Sequence, residues 1–318
     1  MDRILNLIAC YCDVSMSNDE HEVIFEKIIS ICNVNYFGID NDNCKCGIAQ
    51  MIQCMEKQLI SVIDKERNRV TFLLAEILVH ASEAITHIPT INLLLTFFCA
   101  RLHDYPSILP CLHGLNALAG RHISAVLTNA VGRNQSQSAV AQDTGYAAPT
   151  ELLILKVLQA LDLQLPSHVQ GLAQSIRMKV FLLIHTICSS VLRPIAVSPD
   201  ICCFYIDIFS GTEEERFRKE LQAMDVVCHC VEGEKDPRCL LQTLQIITLA
   251  VQVFPASVSS VHQEDQEGKH YEGLISAKKM AERVYSCIVC YFPISFTPPP
   301  FVSPSDTVTS EDLVLAAD

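Results

Sequence analysis

Four residues form the strongest chemical pattern in the sequence: His262 and Glu264, followed by Cys287 and Cys290. In zinc deaminases a histidine and two cysteines hold the metal, and a glutamate beside the histidine transfers protons. Here Ser286 stands where a proline should precede the first cysteine, and the His-x-Glu lies in a polar segment. Because a motif without its structural context is weak evidence, we interpret these residues as a solvated loop and two packed thiols. A zinc-dependent hydrolase is the enzymatic alternative.

The other candidate metal ligands are the Cys-x-Cys pairs Cys10/Cys12, Cys44/Cys46 and Cys228/Cys230. Residues two apart on a helix point about 200° away from each other and cannot share one ion. Cys44 and Cys46 fall in a predicted loop, but no second Cys/His pair lies nearby to complete a structural zinc site. Asp40 and Asp42 resemble the start of a calcium loop, yet Cys44 and Lys45 stand where a ligand and glycine belong. We therefore predict no metal, no cofactor and no catalytic residue.

The composition is typical of a helical protein that buries much of its surface. Of the 318 residues, 50% are hydrophobic and 19% are charged, and the mean hydropathy is +0.28. The longest apolar runs, Ile91–Ala100 and Val180–Leu192, are shorter than the roughly 20 residues of a spanning helix. The first residues also lack the pattern of a secretory signal. We therefore expect a soluble, intracellular protein that does not bind membranes.

Charge and cysteine usage restrict the class of protein further. The net charge of −13 opposes sequence-independent attraction to phosphates, so we predict no direct binding to nucleic acid. The 16 cysteines are spread along a chain without a secretory signal, which favours reduced thiols over disulfides.

Apolar residues recur at helical spacing along most of the chain. The pattern predicts helices at Asp2–Cys12, Glu20–Cys32, Glu151–Leu161 and Glu213–Val231, a loop at Asn33–Gly47 and a charged turn at Asp64–Arg67. Only Ile201–Phe209 could be a strand. The predicted apolar stripes are Ile52, Met55, Leu59 and Val62; Val70, Leu74, Ile77 and Ala81; Leu94, Phe98 and Leu102; Ile108, Leu112, Leu115 and Ala119; Val180, Ile184, Ile187 and Val191; Phe217, Leu221, Met224 and Cys228; and Leu240, Leu244, Ile247, Val251 and Phe254.

Helix pairs joined by short turns at about 40–47 residues are typical of HEAT and armadillo repeats. We therefore predict an all-α, HEAT/armadillo-like α-solenoid of antiparallel helix pairs, each burying its stripe against its neighbours. The chain stops as a helix begins, so we expect the N-terminal part of a longer array. The predicted organisation is poorly defined N-terminal helices over 1–45, HEAT-like pairs over 46–131 and 150–290, a flexible insertion over 132–149, a connector over 291–309 and a truncated helix over 310–318.

Two stretches stand out from the repeats: Glu232–Leu241 and Cys290–Pro300. In the first, Asp236 is placed to cap a helix whose first residue is Pro237. In the second, prolines stop the helix while aromatic residues, which are usually buried, lie among them. We predict a buried corner that fixes the angle between flanking repeats, rather than an exposed recognition peptide. Replacing Phe292 or Phe296 by Ala should then cost roughly 3–5 kcal/mol.

These two stretches resemble the N-terminal region of the Mms-nineteen family, a HEAT-repeat protein of DNA repair, transcription and cytosolic iron–sulfur assembly. Leu93–Leu118 and Ser310–Leu315 are similar too, so the resemblance covers about residues 50–318. The residues that carry it, to which we assign a structural role, are Glu234, Lys235, Asp236, Pro237, Arg238, Tyr291, Phe292, Pro293, Phe296, Pro298 and Pro299.

The resemblance implies a non-catalytic adaptor of the cytosolic iron–sulfur targeting complex, present in the cytoplasm and the nucleus. Its partners would be the other subunits of that complex and the apo iron–sulfur proteins of DNA repair, replication and transcription. A generic HEAT-repeat interaction or transport scaffold is the alternative. The polar face formed by Lys278, Lys279, Glu282 and Arg283 is either a solvated surface or a partner-binding one.

Overall fold

A computed structural model describes residues 2–32, 41–81, 88–120, 149–196, 209, 212–254, 271–292 and 308–317. Across these ranges the chain forms α-helices and short 3-10 turns, and none of the described residues is in a strand. The chain divides into two compact units, Met1–His122 and Ile123–Asp318. The predicted all-α fold class is confirmed.

The first unit contains the helices α1 (Asp2–Tyr11), α2 (Asn18–Cys32), α3 (Asn41–Leu59), α4 (Asp64–Ala81), α5 (Ile88–Ala100) and α6 (108–120). Two 3-10 turns, Arg101–His103 and Tyr105–Ser107, join α5 to α6. Helix α1 packs against α2 and α3, and α4 packs against α2 and α3. Helices α1 and α3 therefore form one layer and α2 and α4 the other, which is how successive helix pairs stack in an α-solenoid.

The second unit contains α7 (Pro149–Leu163), α8 (Gln174–Ala196), α9 (Glu213–Val231), α10 (Pro237–Val253), α11 (Tyr271–Val289) and α12 (Ser310–Ala317). Helix α9 packs against α7 and α11, and α10 packs against α8 and α12. The same two layers result. Because α7, α9 and α11 start at residues 149, 213 and 271, the repeat is longer here than the predicted interval of 40–47 residues.

Side-chain caps fix the starts of α9 and α10 in this unit. Thr212 and Glu215 form a capping box at α9, which satisfies amides that have no partner within the helix. At α10 the Asp236 carboxylate accepts from the Arg238 amide at 3.0 Å, and Pro237 follows it as the first helical residue. Helix α9 has the predicted bounds, and the predicted cap of α10 is confirmed.

Most predicted stripes are buried in the structure, but the first one needs correction. Val62 is 93% exposed because α3 ends at Leu59, before the periodic pattern does. The buried face of α3 is formed instead by Ile48, Met51, Met55 and Leu59. The residues Asp64–Arg67, predicted as a turn, are the first turn of α4. An acidic residue such as Asp64 is favourable there because it faces the positive end of the helix dipole.

Helix α3 also corrects the predicted loop at Asn33–Gly47. The helix begins at Asn41, so Cys44 and Cys46 lie on a helix rather than in a loop. The backbone geometry that would have let these two cysteines share an ion is therefore absent.

Helix α8 is long and apolar enough over Gln174–Leu192 to cross a membrane, judged by length and composition alone. The apolar run recognised from the sequence, Val180–Leu192, is shorter. Half of the stretch Gln174–Leu192 is buried. Its buried residues include Val180, Ile184 and Ile187 of the predicted stripe. Because α8 packs against α10, it has the surroundings of a core helix, and the hydropathy is weak evidence for a membrane.

Several predictions concern segments outside the described residues. They are residues 132–148 of the predicted insertion, residues 201–208 of the possible strand and residues 293–307 of the predicted connector. Pro149 begins α7. Phe209 is buried and stacks on Phe254, with ring centroids 6.1 Å apart.

Candidate interaction surface

The residues of the zinc pattern are not brought together in the described part of the chain. His262 and Glu264 lie outside it, while Cys287 is buried on α11 and Cys290 is exposed just after that helix ends. In the pair Cys10/Cys12 the first cysteine is exposed and the second is buried, whereas both cysteines of the pair Cys228/Cys230 are buried. No group of three or more His, Cys, Asp or Glu side chains in the described ranges could hold a metal ion.

The first sequence signature is built around a buried carboxylate. Glu234, in the turn between α9 and α10, accepts from Arg177 Nε at 2.9 Å and from Arg177 Nη2 at 3.0 Å. The amides of Lys235 and Asp236 both donate to Glu234 Oε1 at 2.8 Å. Since a buried charge is tolerated only when it is paired and hydrogen-bonded, this network fixes the turn against α8.

The turn itself depends on Gly233, whose φ of 78° lies in the left-handed region. This residue follows the end of α9, the position where glycine avoids the steric cost that a Cβ would carry. Reversal of the chain at Gly233 places Glu234 next to Arg177.

The second sequence signature meets the first in an apolar cluster. Leu240 and Leu244 of α10 are buried together with Leu313 of α12, and the partly buried Tyr291 packs against all three as a group. Burial raises the pKa of Tyr291 to about 12. Residues from α10, the end of α11 and α12, which lie 22 to 73 positions apart in the sequence, are thereby joined at one junction.

Phe292 does not share this burial, and the prediction that it lies in a buried corner is wrong. Its side chain is 47% exposed. The Phe292 amide still donates to the Val289 carbonyl at 3.2 Å, so the last helical turn continues past the end of α11. Pro293, Phe296, Pro298 and Pro299 lie outside the described residues.

Phe292 instead ends an exposed apolar stripe on α11. Tyr285 is 63% exposed and Val289 is 38% exposed. Intervals of four and three residues place Tyr285, Val289 and Phe292 on one face of a helical turn. We call these three residues the α11 stripe.

Charged residues continue the surface of α11 toward its N-terminus. Lys278, Lys279 and Glu282 are exposed, as predicted for a polar face. Arg283 is partly covered, because its guanidinium forms ion pairs with Asp225 at 2.8 Å and with Glu232 at 3.8 Å.

A surface of this kind is suited to binding another protein. Exposed aromatic and aliphatic side chains beside charges are typical of protein interfaces. Tyr285, Val289 and Arg177 were not predicted from the sequence as functional or structural site residues. The interval from Tyr285 to Phe292 could have indicated the stripe, and a lone arginine at the start of the apolar α8 could have indicated a buried partner.

Residues 52–317, which include the junction and the α11 stripe, match the MMS19 N-terminal family model, described as Dos2-interacting transcription regulator of RNA-Pol-II. The chain belongs to this family. The resemblance to this family, which the sequence indicated over about residues 50–318, is thus confirmed. The family description is not that of an enzyme.

Two curated MMS19 proteins are similar over most of the chain. The MMS19 nucleotide excision repair protein homolog of Arabidopsis thaliana is 21% identical over 93% of this chain. The protein of the same name from Homo sapiens is 25% identical over 85%. The chain spans about a fifth of the length of these relatives, 20% and 19% respectively. No solved structure gives a significant match.

Proposed function

We propose that the chain is a non-catalytic adaptor of the cytosolic iron–sulfur targeting complex. It brings apo-proteins of DNA repair, replication and transcription to the site of cluster insertion. Membership of the MMS19 family supports this proposal, as do relatives named for nucleotide excision repair. The structural observation that carries it is the α11 stripe, an exposed apolar surface on a helix of the second unit.

The junction gives this surface a fixed support. Helix α11 packs against α9, and Tyr291 anchors its end in the cluster of Leu240, Leu244 and Leu313. Binding groups on a rigid element lose less conformational freedom when a partner docks. We therefore assign partner contact to Tyr285 and Phe292, since a few aromatic residues commonly dominate an interface.

The expected partners are the other subunits of the targeting complex and its apo iron–sulfur clients. The expected compartments are the cytoplasm and the nucleus. Formal charge favours protein partners over nucleic acid, because a net charge of −13 repels phosphates.

Affinity purification from cells that make the protein tests the proposal. The wild-type chain should recover iron–sulfur assembly subunits and client proteins, identified by mass spectrometry. The double variant Tyr285→Ser/Phe292→Ser should lower that recovery at least about tenfold, the effect of losing roughly 1.4 kcal/mol. The control is Leu163→Ser, which changes another exposed apolar residue of the same unit.

Each outcome has a defined meaning. A wild-type chain that recovers only transport factors favours the generic scaffold, and one that recovers no assembly subunit or client contradicts the adaptor function. Equal recovery by wild type and the double variant would remove the α11 stripe from the interface while leaving the adaptor function in place.

A further inference from the structure

Two cysteines of the second unit meet across the contact between α9 and α11. Cys228 on α9 and Cys287 on α11 are both buried, and both are free thiols. The Cys287 Sγ lies 3.9 Å from the Cys228 carbonyl oxygen, and the two thiol groups are themselves in hydrogen-bonding contact. Since the two residues are 59 positions apart in the sequence, the packing of α11 against α9 brings them together.

The surroundings of the pair make Cys287 its reactive member. Thiolates are the nucleophilic form of cysteine. The hydrogen bond from the Cys228 thiol lowers the pKa of Cys287, and the guanidinium of Arg283, one turn earlier on α11, acts in the same direction. Burial and the carboxylates of Glu232 and Asp225 oppose this shift. The same hydrogen bond raises the pKa of Cys228, so Cys228 keeps its proton while Cys287 ionises.

Cys287 lies close to the end of its helix, where a small oxidant can reach it. Helix α11 ends at Val289, and Cys290 and Phe292, which follow, are exposed. The last turn of a helix can open locally without unfolding of the whole unit. Such an opening exposes the Cys287 Sγ to a molecule as small as hydrogen peroxide, although the thiol is buried in the closed structure.

We propose that Cys228 and Cys287 form a reversible disulfide when the protein is exposed to a peroxide. The Cys287 thiolate attacks one peroxide oxygen, the O–O bond breaks, and the products are a sulfenic acid on Cys287 and hydroxide. The Cys228 sulfur then attacks the Cys287 sulfur and displaces its hydroxyl group, which leaves as water with the Cys228 proton. In total, two thiols and one hydrogen peroxide give one disulfide and two waters, and two electrons pass from sulfur to oxygen.

The disulfide links α9 to α11 covalently and so stabilises the second unit under oxidising conditions. It joins positions 59 apart, which restricts the unfolded chain. It also holds α11, which carries the α11 stripe, on α9. In reducing compartments such bonds are mostly transient and serve redox sensing, and exchange with a small thiol restores both cysteines. The bond forms whatever partner binds the α11 stripe, so it is independent of the adaptor function.

Peptide mapping of the full chain after peroxide treatment tests the disulfide. The reduced protein is treated with hydrogen peroxide, its remaining thiols are alkylated in urea, and it is digested without reductant. Tandem mass spectrometry, which distinguishes Cys228 from Cys230 and Cys287 from Cys290, should find a cross-link between Cys228 and Cys287 that dithiothreitol removes. Cys188, which is buried on α8, is the internal control and should be recovered as the alkylated thiol.

Two serine variants separate the buried thiol from its exposed neighbour. After peroxide treatment, the wild type and Cys290→Ser should unfold at a higher urea concentration than before it, whereas Cys287→Ser should show no such rise. The far-ultraviolet circular dichroism of each variant before treatment shows that it is folded. A wild type without the Cys228–Cys287 cross-link, or with a sulfinic acid on Cys287 in its place, would overturn the proposal. So would a cross-link that Cys290→Ser abolishes, or a cross-linked wild type whose urea midpoint is unchanged.

Discussion

Arg177 on α8 and Glu234 before α10 form a two-point ion pair, with N–O distances of 2.9 and 3.0 Å. Arg177 is mostly buried and the Glu234 side chain is wholly so. Arg177 Nη1 also donates to the Leu172 carbonyl at 2.8 Å. Three segments of the second unit are therefore held by one guanidinium, and loss of either partner leaves a buried charge without compensation.

Glu234→Ala should accordingly lower the free energy of unfolding by about 3–5 kcal/mol, measured by urea denaturation. The control is Glu214→Ala, which removes an exposed ion pair with Arg218. Exposed pairs contribute little, so this variant should unfold like the wild type. Equal urea midpoints of unfolding for Glu234→Ala and Glu214→Ala would contradict a stabilising role for the buried Arg177–Glu234 pair.

Helix α12 offers a matched pair of leucines for testing the junction. Leu313 is buried in the cluster with Leu240 and Leu244, whereas Leu315 is 75% exposed. Leu313→Ala should destabilise the second unit by about 2–5 kcal/mol, because it removes buried methyl groups and leaves a cavity. Leu315→Ala should leave the thermal midpoint nearly unchanged. Similar shifts for both variants would show that α12 is not docked through Leu313.

Gly114 on α6 allows close contact with Phe98 of α5. A Cβ at Gly114 would lie 2.6 Å from Phe98 Cζ, and the Phe98 ring is buried and cannot move aside freely. In Gly114→Ala the better helix propensity of alanine should raise the free energy of unfolding by up to about 1 kcal/mol. Overpacking against Phe98 should lower it by about 1–3 kcal/mol. Net destabilisation is expected in urea denaturation. Adding Phe98→Leu should recover part of the loss, and no coupling between the two changes would contradict the contact.

Local features of the fold were predictable from the sequence. The cap at Asp236 and the bounds of α9 follow from short-range rules on helix ends. Periodicity also identified the buried faces of α4 and α8. It failed at Val62, because a repeating apolar pattern does not reveal where the backbone stops being helical.

The candidate site depends on contacts that are distant in the sequence. Arg177 and Glu234 are separated by 57 positions, and no periodic pattern links a lone arginine to a lone glutamate. Phe292 was predicted as buried from its residue type, but residue type alone does not tell which side of a helical turn faces the core. In the structure Phe292 lies just past the end of α11 and is 47% exposed.

The cysteines should differ strongly in reactivity toward iodoacetamide at pH 8. Thiolates are the reactive form, and burial raises the pKa of Cys188 and of Cys230 to about 12. Cys10, Cys54 and Cys290 are exposed and should be alkylated first, as followed by peptide mapping in a mass spectrometer. In concentrated urea all five should react at similar rates. Alkylation of native Cys230 as fast as Cys54 would contradict the burial.

Asp104 should make the first unit sensitive to acid. Hydrogen bonds from Arg67 hold the pKa of Asp104 down at about 2, below the value of about 3.9 for an unfolded aspartate. Since the folded pKa is depressed, the stabilisation is fully present above about pH 4 and is lost as the pH falls toward 2. Asp104→Asn should lower the free energy of unfolding by about 1–3 kcal/mol at neutral pH. The difference in unfolding free energy between wild type and this variant, measured by urea denaturation, should shrink as the pH falls from about 4 toward 2. Asp64→Asn is the control, because Asp64 is exposed and contributes one hydrogen bond to Arg67. A wild-type minus Asp104→Asn difference that stays constant from pH 5 to pH 2 would show that the Arg67 pair does not stabilise the ionised form.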